Sequence, residues 1–175
     1  MKLAVVAYPF LHPDDSNWIE SSRSANDPAA SRIRAHFTLV FPVEAETEEL
    51  ERELEALSRT LAPVDFEIAR VEVHVVDSLA YVFLVPDDGF AEIGRLHDDL
   101  HAGVLRPHRR SDSAFVPHIT VGVHADIVAA ERQAEALRAG WRAVRGQLRT
   151  LDLVCLDSRC VLSRGEHVLG TRLKE

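Results

Sequence analysis

Two motifs of the same type, H-F-T-L at His36–Leu39 and H-I-T-V at His118–Val121, lie 82 residues apart. Each contains a histidine, an apolar residue, a threonine and another apolar residue, and each opens a run typical of a β-strand. Side chains i and i+2 of a strand point to the same face, about 6.5–7 Å apart. Each motif therefore predicts one imidazole and one hydroxyl on one strand face, with the apolar residues on the other.

Two imidazoles and two hydroxyls around one ligand suit the cleavage of a phosphodiester. Threonine hydroxyls can donate hydrogen bonds to the equatorial oxygens as negative charge develops on them. One neutral histidine can accept a proton from the attacking water while the other, protonated, donates one to the leaving oxygen. The ordinary pKa of histidine allows both roles near neutral pH, and no metal ion is then required. The candidate catalytic residues are His36, Thr38, His118 and Thr120; the alternative is four ordinary polar strand residues.

The elements that must position these motifs also occur twice. Strand patterns fall at Lys2–Tyr8, His36–Val43, Phe66–Val76, Leu79–Val85 and His118–Val123, with a closing hairpin over Gln147–Leu156 and Val161–Leu173. Helical patterns begin near Asp15, Thr47, Phe90 and Asp126. The repeated order predicts one α+β domain, residues 1–175, built from two duplicated lobes at about 1–76 and 79–173. Two antiparallel sheets would face a central cleft, with the helices on the outside.

Net charge limits the kinds of partner. The formal charge of −8 excludes a surface that coats nucleic acid without specificity. Positive charge is present locally, since arginines precede both motifs. These arginines are Arg32, Arg34, Arg106, Arg109 and Arg110. They are either a local binding patch for a phosphate or solvated loop residues.

Composition places the chain in the cytoplasm. No segment approaches the ~20 apolar residues of a membrane span, so we expect no membrane association. The apolar N-terminal run lacks a basic region and a cleavage site, which favours a first strand over a signal peptide. Cys155 and Cys160 are too few for a disulfide framework and are expected as reduced thiols.

The motifs in context, H-F-T-L-V-F-P at 36–42 and F-V-P-H-I-T-V-G at 115–122, resemble those of the 2H phosphoesterase superfamily. That superfamily contains bacterial 2′-5′ RNA ligase-like proteins and RNA 2′,3′-cyclic phosphodiesterases, and its order of elements agrees with nearly the whole chain. The resemblance implies a bilobed, pseudo-symmetric fold and a metal-independent, cofactor-free site. It also implies hydrolysis of a 2′,3′-cyclic phosphate to a 2′-phosphate, with the two histidines as the acid–base pair. The resemblance leaves their individual roles open, and our own expectation is His118 as base and His36 as acid.

The expected partner is a substrate, either an RNA 3′ end or a small cyclic nucleotide, and we expect a monomer without an obligate protein partner. Many RNA ligase-like members carry a basic or polar residue directly after a motif, where this chain has Val40 and Gly122. This departure favours a looser relative, with the missing charge supplied from elsewhere. The candidate substrate-binding residues are Tyr8, Arg34, Arg109, Arg110 and Phe115. The two aromatic residues can stack on a base or belong to the core or its rim.

Two alternatives remain open. The first is a module of the same fold that binds an RNA end or a nucleotide with little turnover. The second is a metallohydrolase, because His97 and His101 have the i, i+4 spacing of zinc ligands on a helix. Asp98 stands where a zincin has its glutamate, and no third ligand is evident, although His108 is close in sequence. We therefore predict no metal site.

Overall fold

The computed structural model describes residues 2–109, 114–156 and 161–170. Within these ranges the strands are β1 (Lys2–Ala7), β2 (Pro9–Leu11), β3 (Phe37–Glu44), β4 (Val64–Val76), β5 (Leu79–Asp88), β6 (Ile119–His124), β7 (Val144–Leu148), β8 (Thr150–Leu156) and β9 (Val161–Val168). The α-helices are α1 (Pro13–Asn26), α2 (Thr47–Ser58), α3 (Phe90–Leu100) and α4 (Ile127–Ala139). None of these helices combines the length and apolarity that crossing a bilayer requires.

The strands form one antiparallel sheet in the order β2-β7-β4-β5-β6-β3-β1-β8-β9. We call β2-β7-β4-β5-β6 the His118 part and β3-β1-β8-β9 the His36 part. The names come from His118, which directly precedes β6, and His36, which directly precedes β3. Phe37 opposite Ile119 is the residue pair through which β3 and β6 join the two parts. The α+β class is thus confirmed, whereas the two separate sheets of the prediction are joined into one. At this junction Phe37 and Ile119 pair through their backbones across the two motif strands.

Each part of the sheet contains strands from both halves of the chain. β4 lies in the His118 part, whereas β8 and β9 lie in the His36 part beside β1. A two-residue turn ties β4 to β5, and its residues Asp77 and Ser78 have φ of 49° and 69°. Positive φ at both positions matches the twist of a tight hairpin. The duplicated lobes stay a prediction, and the parts of the sheet do not correspond to residues 1–76 and 79–173.

The closing hairpin differs from its prediction in where its first arm begins. The predicted arm Gln147–Leu156 is divided at Arg149, because Leu148 ends β7 opposite Val64 of β4. Thr150 then begins β8, which pairs with β1 and β9. The short strand β2, which the sequence did not predict, pairs with β7.

The main hydrophobic core lies against one face of the sheet, and all four helices contribute to it. Leu3 and Val5 of β1 point into this core, whereas Ala4 and Val6 form a small cluster on the opposite face. Cys155 is buried with a free thiol, as expected, and Cys160 lies outside the described residues. The strand period of two thus divides each strand into a core side and an open side.

Gly89, which caps the N-terminus of α3, has a φ of 82°. A Cβ there would lie 2.5 Å from the Asp65 carbonyl oxygen and 2.7 Å from the Phe66 Cβ. We expect Gly89→Ala to lower the free energy of unfolding by about 2–3 kcal/mol, because both the left-handed backbone and the contact are unfavourable. Urea denaturation measures this loss.

Gly94, five residues further along, provides the matched control. A Cβ there would meet nothing within 4 Å. Gly94→Ala should therefore leave stability unchanged or raise it by up to about 1 kcal/mol, because alanine is the better helix former. Equal effects of the two substitutions would contradict the role given to Gly89.

Candidate active site

The two motifs place their polar residues on the open face of the sheet. Their apolar residues are fully buried in the main core: Phe37, Leu39, Ile119 and Val121. Because side chains alternate along a strand, the histidine and threonine of each motif point to the opposite face. All four of these polar residues are half-buried. The predicted division of each motif into a core side and a polar side is therefore observed.

The antiparallel register brings the two motifs together. Phe37 and Ile119, which directly follow the two histidines, lie opposite each other. Extending this register by one residue in each direction sets each histidine opposite the threonine of the other motif. Side chains directly opposite across an antiparallel pair have Cβ atoms about 4.5–5.5 Å apart. The motifs therefore form a compact two-by-two array on neighbouring strands, rather than facing each other across a cleft from two sheets.

Two cavities adjoin this array on the open face. The larger, the His118 cavity, has a volume of about 490 Å³ and is lined by His118, Thr120, Thr38 and aromatic residues of β4, β5 and the segment before β6. The smaller, the His36 cavity, has about 240 Å³ and is lined by His36, Thr38, Arg32 and the small cluster on β1 and β8. Thr38 and Phe41 line both cavities. The array thus lies at the boundary of two compartments that a single ligand can span.

Both imidazoles are oriented by the same local hydrogen bond. His36 Nδ1 donates to the Arg34 carbonyl oxygen at 2.8 Å, and His118 Nδ1 donates to the Val116 carbonyl oxygen at 2.6 Å. A carbonyl oxygen can only accept, so Nδ1 carries the proton of each neutral ring. Nε2 of each ring is then the atom available to a ligand.

Burial lowers the pKa of both rings. The pKa of His118 is lowered to about 4, chiefly by burial and to a smaller extent by the positive charges of His74 and His36. Burial also lowers the pKa of His36 from its ordinary value. Phe83 of β5 stacks on His118, with ring centroids 3.6 Å apart and planes at 20°. Because burial disfavours the charged form of an imidazole, His118 is neutral at neutral pH.

The predicted substrate-binding residues divide into two groups. Tyr8 and Arg34 lie beside His36: the Arg34 guanidinium is 3.8 Å from the Tyr8 ring centroid, and the Tyr8 and His36 ring centroids are 6.2 Å apart. Phe115 lines the His118 cavity. Arg109 lines neither of these two cavities, because it pairs with Asp98 at 2.6 Å on the surface. Arg110 lies outside the described residues.

His74 of β4 is a cavity residue that is not among the candidates predicted from the sequence. It lines the His118 cavity, stacks on Phe83 with ring centroids 5.0 Å apart, and its Nε2 lies 2.8 Å from Glu72 Oε2. Glu72 and His74 are two apart on one strand, which is the same spacing that drew attention to the motifs. What the sequence lacked was the position of β4, two strands away from β6.

His97 and His101 have a structural explanation. His97 Nδ1 donates to the Leu39 carbonyl oxygen at 2.7 Å, and its ring stacks on Phe115 at a centroid distance of 4.0 Å. His101 Nδ1 donates to the His97 carbonyl oxygen. Across the ranges that the structure describes, no three His, Cys, Asp or Glu side chains group in a way that could hold a metal ion. His97 instead fixes β3 directly after Thr38, at the edge of the array.

Comparison with known proteins identifies the family. Residues 11–159 match the family model of the 2′-5′ RNA ligase superfamily. The chain belongs to this superfamily. The resemblance to 2H phosphoesterases that the motifs suggested is thereby confirmed.

Relatives and solved structures agree with membership of the 2′-5′ RNA ligase superfamily. A Geobacillus kaustophilus protein, whose name assigns it provisionally to the phosphoesterases, is 29% identical over 126 residues, covering 70% of this chain and 69% of that protein. A similarly named Bacillus cytotoxicus protein is 30% identical over 138 residues, covering 73% and 76%. These names and the family support a phosphoesterase role for this chain.

The fold matches solved structures of low sequence identity. TT0787 of Thermus thermophilus aligns with a TM-score of 0.63 at 16% identity, covering 98% of this chain and 100% of that one. Apo LigT of Escherichia coli aligns with a TM-score of 0.58 at 16% identity, covering 97% and 98%. The LigT-like arrangement of strands and helices therefore extends over nearly the whole chain.

Gly122 explains one departure from the 2′-5′ RNA ligase-like pattern. A Cβ at this position would lie 2.0 Å from Gln133 Oε1 of α4. The Gln133 amide donates to the Val121 carbonyl oxygen at 3.0 Å and to Ser22 Oγ at 3.1 Å, and its Oε1 accepts from His124 at 2.7 Å. A larger side chain at position 122 would thus have to displace the Gln133 amide and break its hydrogen bonds to β6 and α1.

Acidification should unfold this superfamily member partly through His118. The unfolded chain binds the His118 proton below about pH 6.5, whereas the folded chain binds it only near pH 4. The stability due to the neutral ring is therefore fully present above pH 6.5 and is lost as the pH falls towards 4. Between pH 7.5 and pH 5 we expect the free energy of unfolding to fall by about 2 kcal/mol because of His118. His118→Gln should lack this part of the loss, and urea denaturation at the two pH values measures it.

The exposed His108 supplies the control for this measurement, since His108→Gln removes an imidazole that is open to solvent. His108→Gln should keep the full acid sensitivity of the wild type. A His118→Gln variant with the same pH dependence as the wild type would refute the buried, neutral state of His118.

Proposed function

We propose that this protein is a metal-independent phosphodiesterase that hydrolyses 2′,3′-cyclic phosphate ends of RNA or nucleotides to 2′-phosphates. The observation that carries the proposal is the array of two imidazoles and two hydroxyls on one open sheet face between two cavities. Both imidazoles have Nδ1 bound to a carbonyl oxygen, so both reactive Nε2 atoms are free for a substrate. A site with two titrating groups suits acid–base catalysis better than binding alone.

In the proposed reaction, His118 acts as base and His36 as acid. Nε2 of neutral His118 accepts a proton from a water molecule as the water oxygen attacks phosphorus. The bond from phosphorus to the ribose O3′ breaks, and O3′ takes the proton from Nε2 of protonated His36. The products are a 2′-phosphomonoester and a 3′-hydroxyl, with the proton now on His118 and absent from His36. Proton exchange with solvent restores both rings.

The threonines stabilise the charge of the pentacovalent phosphorus. Thr38 and Thr120 lie on the same face as the two rings, and both line the His118 cavity. Their hydroxyls can donate to the equatorial oxygens, where the charge is greatest in the transition state. Preformed donors of this kind contribute most where water is excluded, as in the half-buried array. The proposed mechanism therefore places no demand on a metal ion.

The two cavities fit the two ends of a nucleotide. Phe115, Phe83 and Tyr81 line the His118 cavity, which suits a planar base. Arg32 lines the His36 cavity, and Arg34 with Tyr8 lies beside His36, which suits further phosphates of the substrate. LigT of E. coli has been crystallised with phosphate, 3′-AMP, ATP and NADP⁺, and these ligands of a protein of the same fold are consistent with a nucleotide-type substrate.

Replacement of either histidine should abolish most of the activity. We expect His36→Ala and His118→Ala each to lower kcat by at least ~100-fold, because each removes one of the two proton transfers. The assay follows hydrolysis of 2′,3′-cyclic nucleotides in EDTA, with ³¹P NMR to locate the phosphate of the product.

The exposed His12 at the start of α1 serves as the matched control. His12→Asn keeps a side-chain cap for that helix and should retain wild-type rates. Loss of wild-type activity in EDTA would indicate a metallohydrolase, and nucleotide binding without turnover by the wild type would indicate a binding module. A 3′-phosphate product would contradict the proposed bond cleavage.

The threonine hydroxyls can be tested with isosteric replacements. Thr38→Val and Thr120→Val should each lower kcat by about 10–100-fold, because a methyl group cannot donate to the equatorial oxygens. Thr38→Ser and Thr120→Ser retain the hydroxyl and should lose less than about 5-fold. Steady-state kinetics distinguishes these effects, and valine variants as active as the serine variants would exclude the proposed role of the hydroxyls.

A further inference from the structure

One peptide group, the one that joins Arg34 to Ala35, is bound on both sides. Its N–H donates to Glu20 Oε1 of α1 at 2.6 Å. Its carbonyl oxygen accepts from His36 Nδ1 at 2.8 Å. A carboxylate, an amide and an imidazole thus form one continuous hydrogen-bonded chain. In such a chain each bond polarises the next, so a negative charge at Glu20 makes the Arg34 carbonyl oxygen a stronger acceptor.

We propose that Glu20 is a positioning residue for His36: through the Arg34–Ala35 peptide it orients the ring and favours its protonated form, which makes His36 the acid of the pair. This inference rests on the proposed function. It assigns to Glu20 the task that a buried carboxylate performs directly in other acid–base sites, where it contacts Nδ1 and stabilises the imidazolium. Here the peptide group stands between the two.

The buried guanidinium of Arg23 fixes the position of Glu20, whose side chain is 35% exposed. Arg23 is 1% exposed, and its Nη1 donates to Glu20 Oε2 at 3.0 Å. Nη2 and Nε of the same guanidinium donate to Asp27 Oδ2 at 2.8 and 3.1 Å. Two carboxylates around one guanidinium leave one net negative charge, and Glu20 directs one of its oxygens to the Ala35 N–H. Charge-assisted hydrogen bonds of this length are stronger than neutral ones.

The second motif cannot form the same chain. His118 Nδ1 also donates to the carbonyl oxygen two residues before it, that of Val116. The next residue, however, is Pro117, whose nitrogen carries no hydrogen. No carboxylate can therefore be linked to His118 through this peptide. The two histidines thus make the same hydrogen bond to a carbonyl oxygen but differ in the peptide group that carries it. Of the two, His36 is the one linked through that peptide to a negative charge.

The charges around His36 are consistent with this assignment. α1 and the residue after it contribute Glu20, Arg23 and Asp27. Tyr8 directly follows β1 and interacts with Asp152 of β8 and with the Arg34 guanidinium, and His118 directly precedes β6. Burial is the largest effect and lowers the pKa of His36, and Arg23 lowers it further, whereas the Arg34 carbonyl, Asp27 and Glu20 raise it. Glu20 is the carboxylate of this set that contacts the peptide bound to the ring.

Glu20→Gln tests the inference because it removes the charge while keeping an amide oxygen that can accept from Ala35. We expect the pKa of His36, followed by NMR of its ring resonances, to fall by about 0.5–1 pH unit. The alkaline limb of the kcat/KM profile, which reports the free enzyme, should move to lower pH by the same amount, because the acid must be protonated to act. His118 should titrate as in the wild type, and KM should change less than 2-fold.

Two further variants keep the test decisive. Ala35→Pro removes the peptide N–H while retaining the Glu20 carboxylate, and it should lower the pKa of His36 in the same direction. Glu55→Gln removes the same charge from an exposed ion pair with Arg59 on α2 and should change neither titration. Thermal melting establishes that each variant is folded before it is titrated.

The outcomes separate the inference from the proposed function. His36 titrating identically in the wild type and in folded Glu20→Gln would overturn the inference, whatever the activity. The NMR titration needs no turnover, so it remains valid if no cyclic phosphate is hydrolysed, a result that would refute only the proposed function. An equal change in Glu55→Gln would show a general charge effect and would also overturn the role of Glu20.

Discussion

The pairing of Phe37 with Ile119 is where the two parts of the sheet meet, and the geometry of the site follows from it. Both side chains are fully buried, so their strands cannot rotate without exposing apolar surface. A slip of one residue in either strand would turn its imidazole and hydroxyl into the core. The same apolar pattern that stabilises the fold therefore also fixes which face carries the catalytic candidates and how far apart they lie.

Apolar packing alone is not directional, and the motif strands are held more exactly by hydrogen bonds from the helices behind them. α3 binds the Leu39 carbonyl through His97, α4 binds the Val121 carbonyl through Gln133, and α1 binds the Ala35 N–H through Glu20. Each bond reaches the backbone within three residues of a motif histidine. Polar side chains that look misplaced in a core thus act as supports for the open face, which is how a site is kept rigid.

Sequence patterns were sufficient for the local structure and insufficient for long-range pairing. The period of two predicted which motif residues are buried. The pairing of β3 with β6 was beyond such patterns, because register between strands 82 residues apart depends on tertiary packing. His74 was missed for the same reason, and the Glu20 contact because a glutamate on a helix is usually solvated.

Two copies of one motif in a nearly two-fold arrangement would make the histidines equivalent, yet acid–base catalysis needs one protonated and one neutral ring. The residues before the motifs remove this equivalence. Ala35 has an N–H that a carboxylate can bind, whereas Pro117 has none. Because this difference lies outside the H-x-T motifs, the motifs can stay alike while their surroundings favour the different roles that we propose for the two histidines.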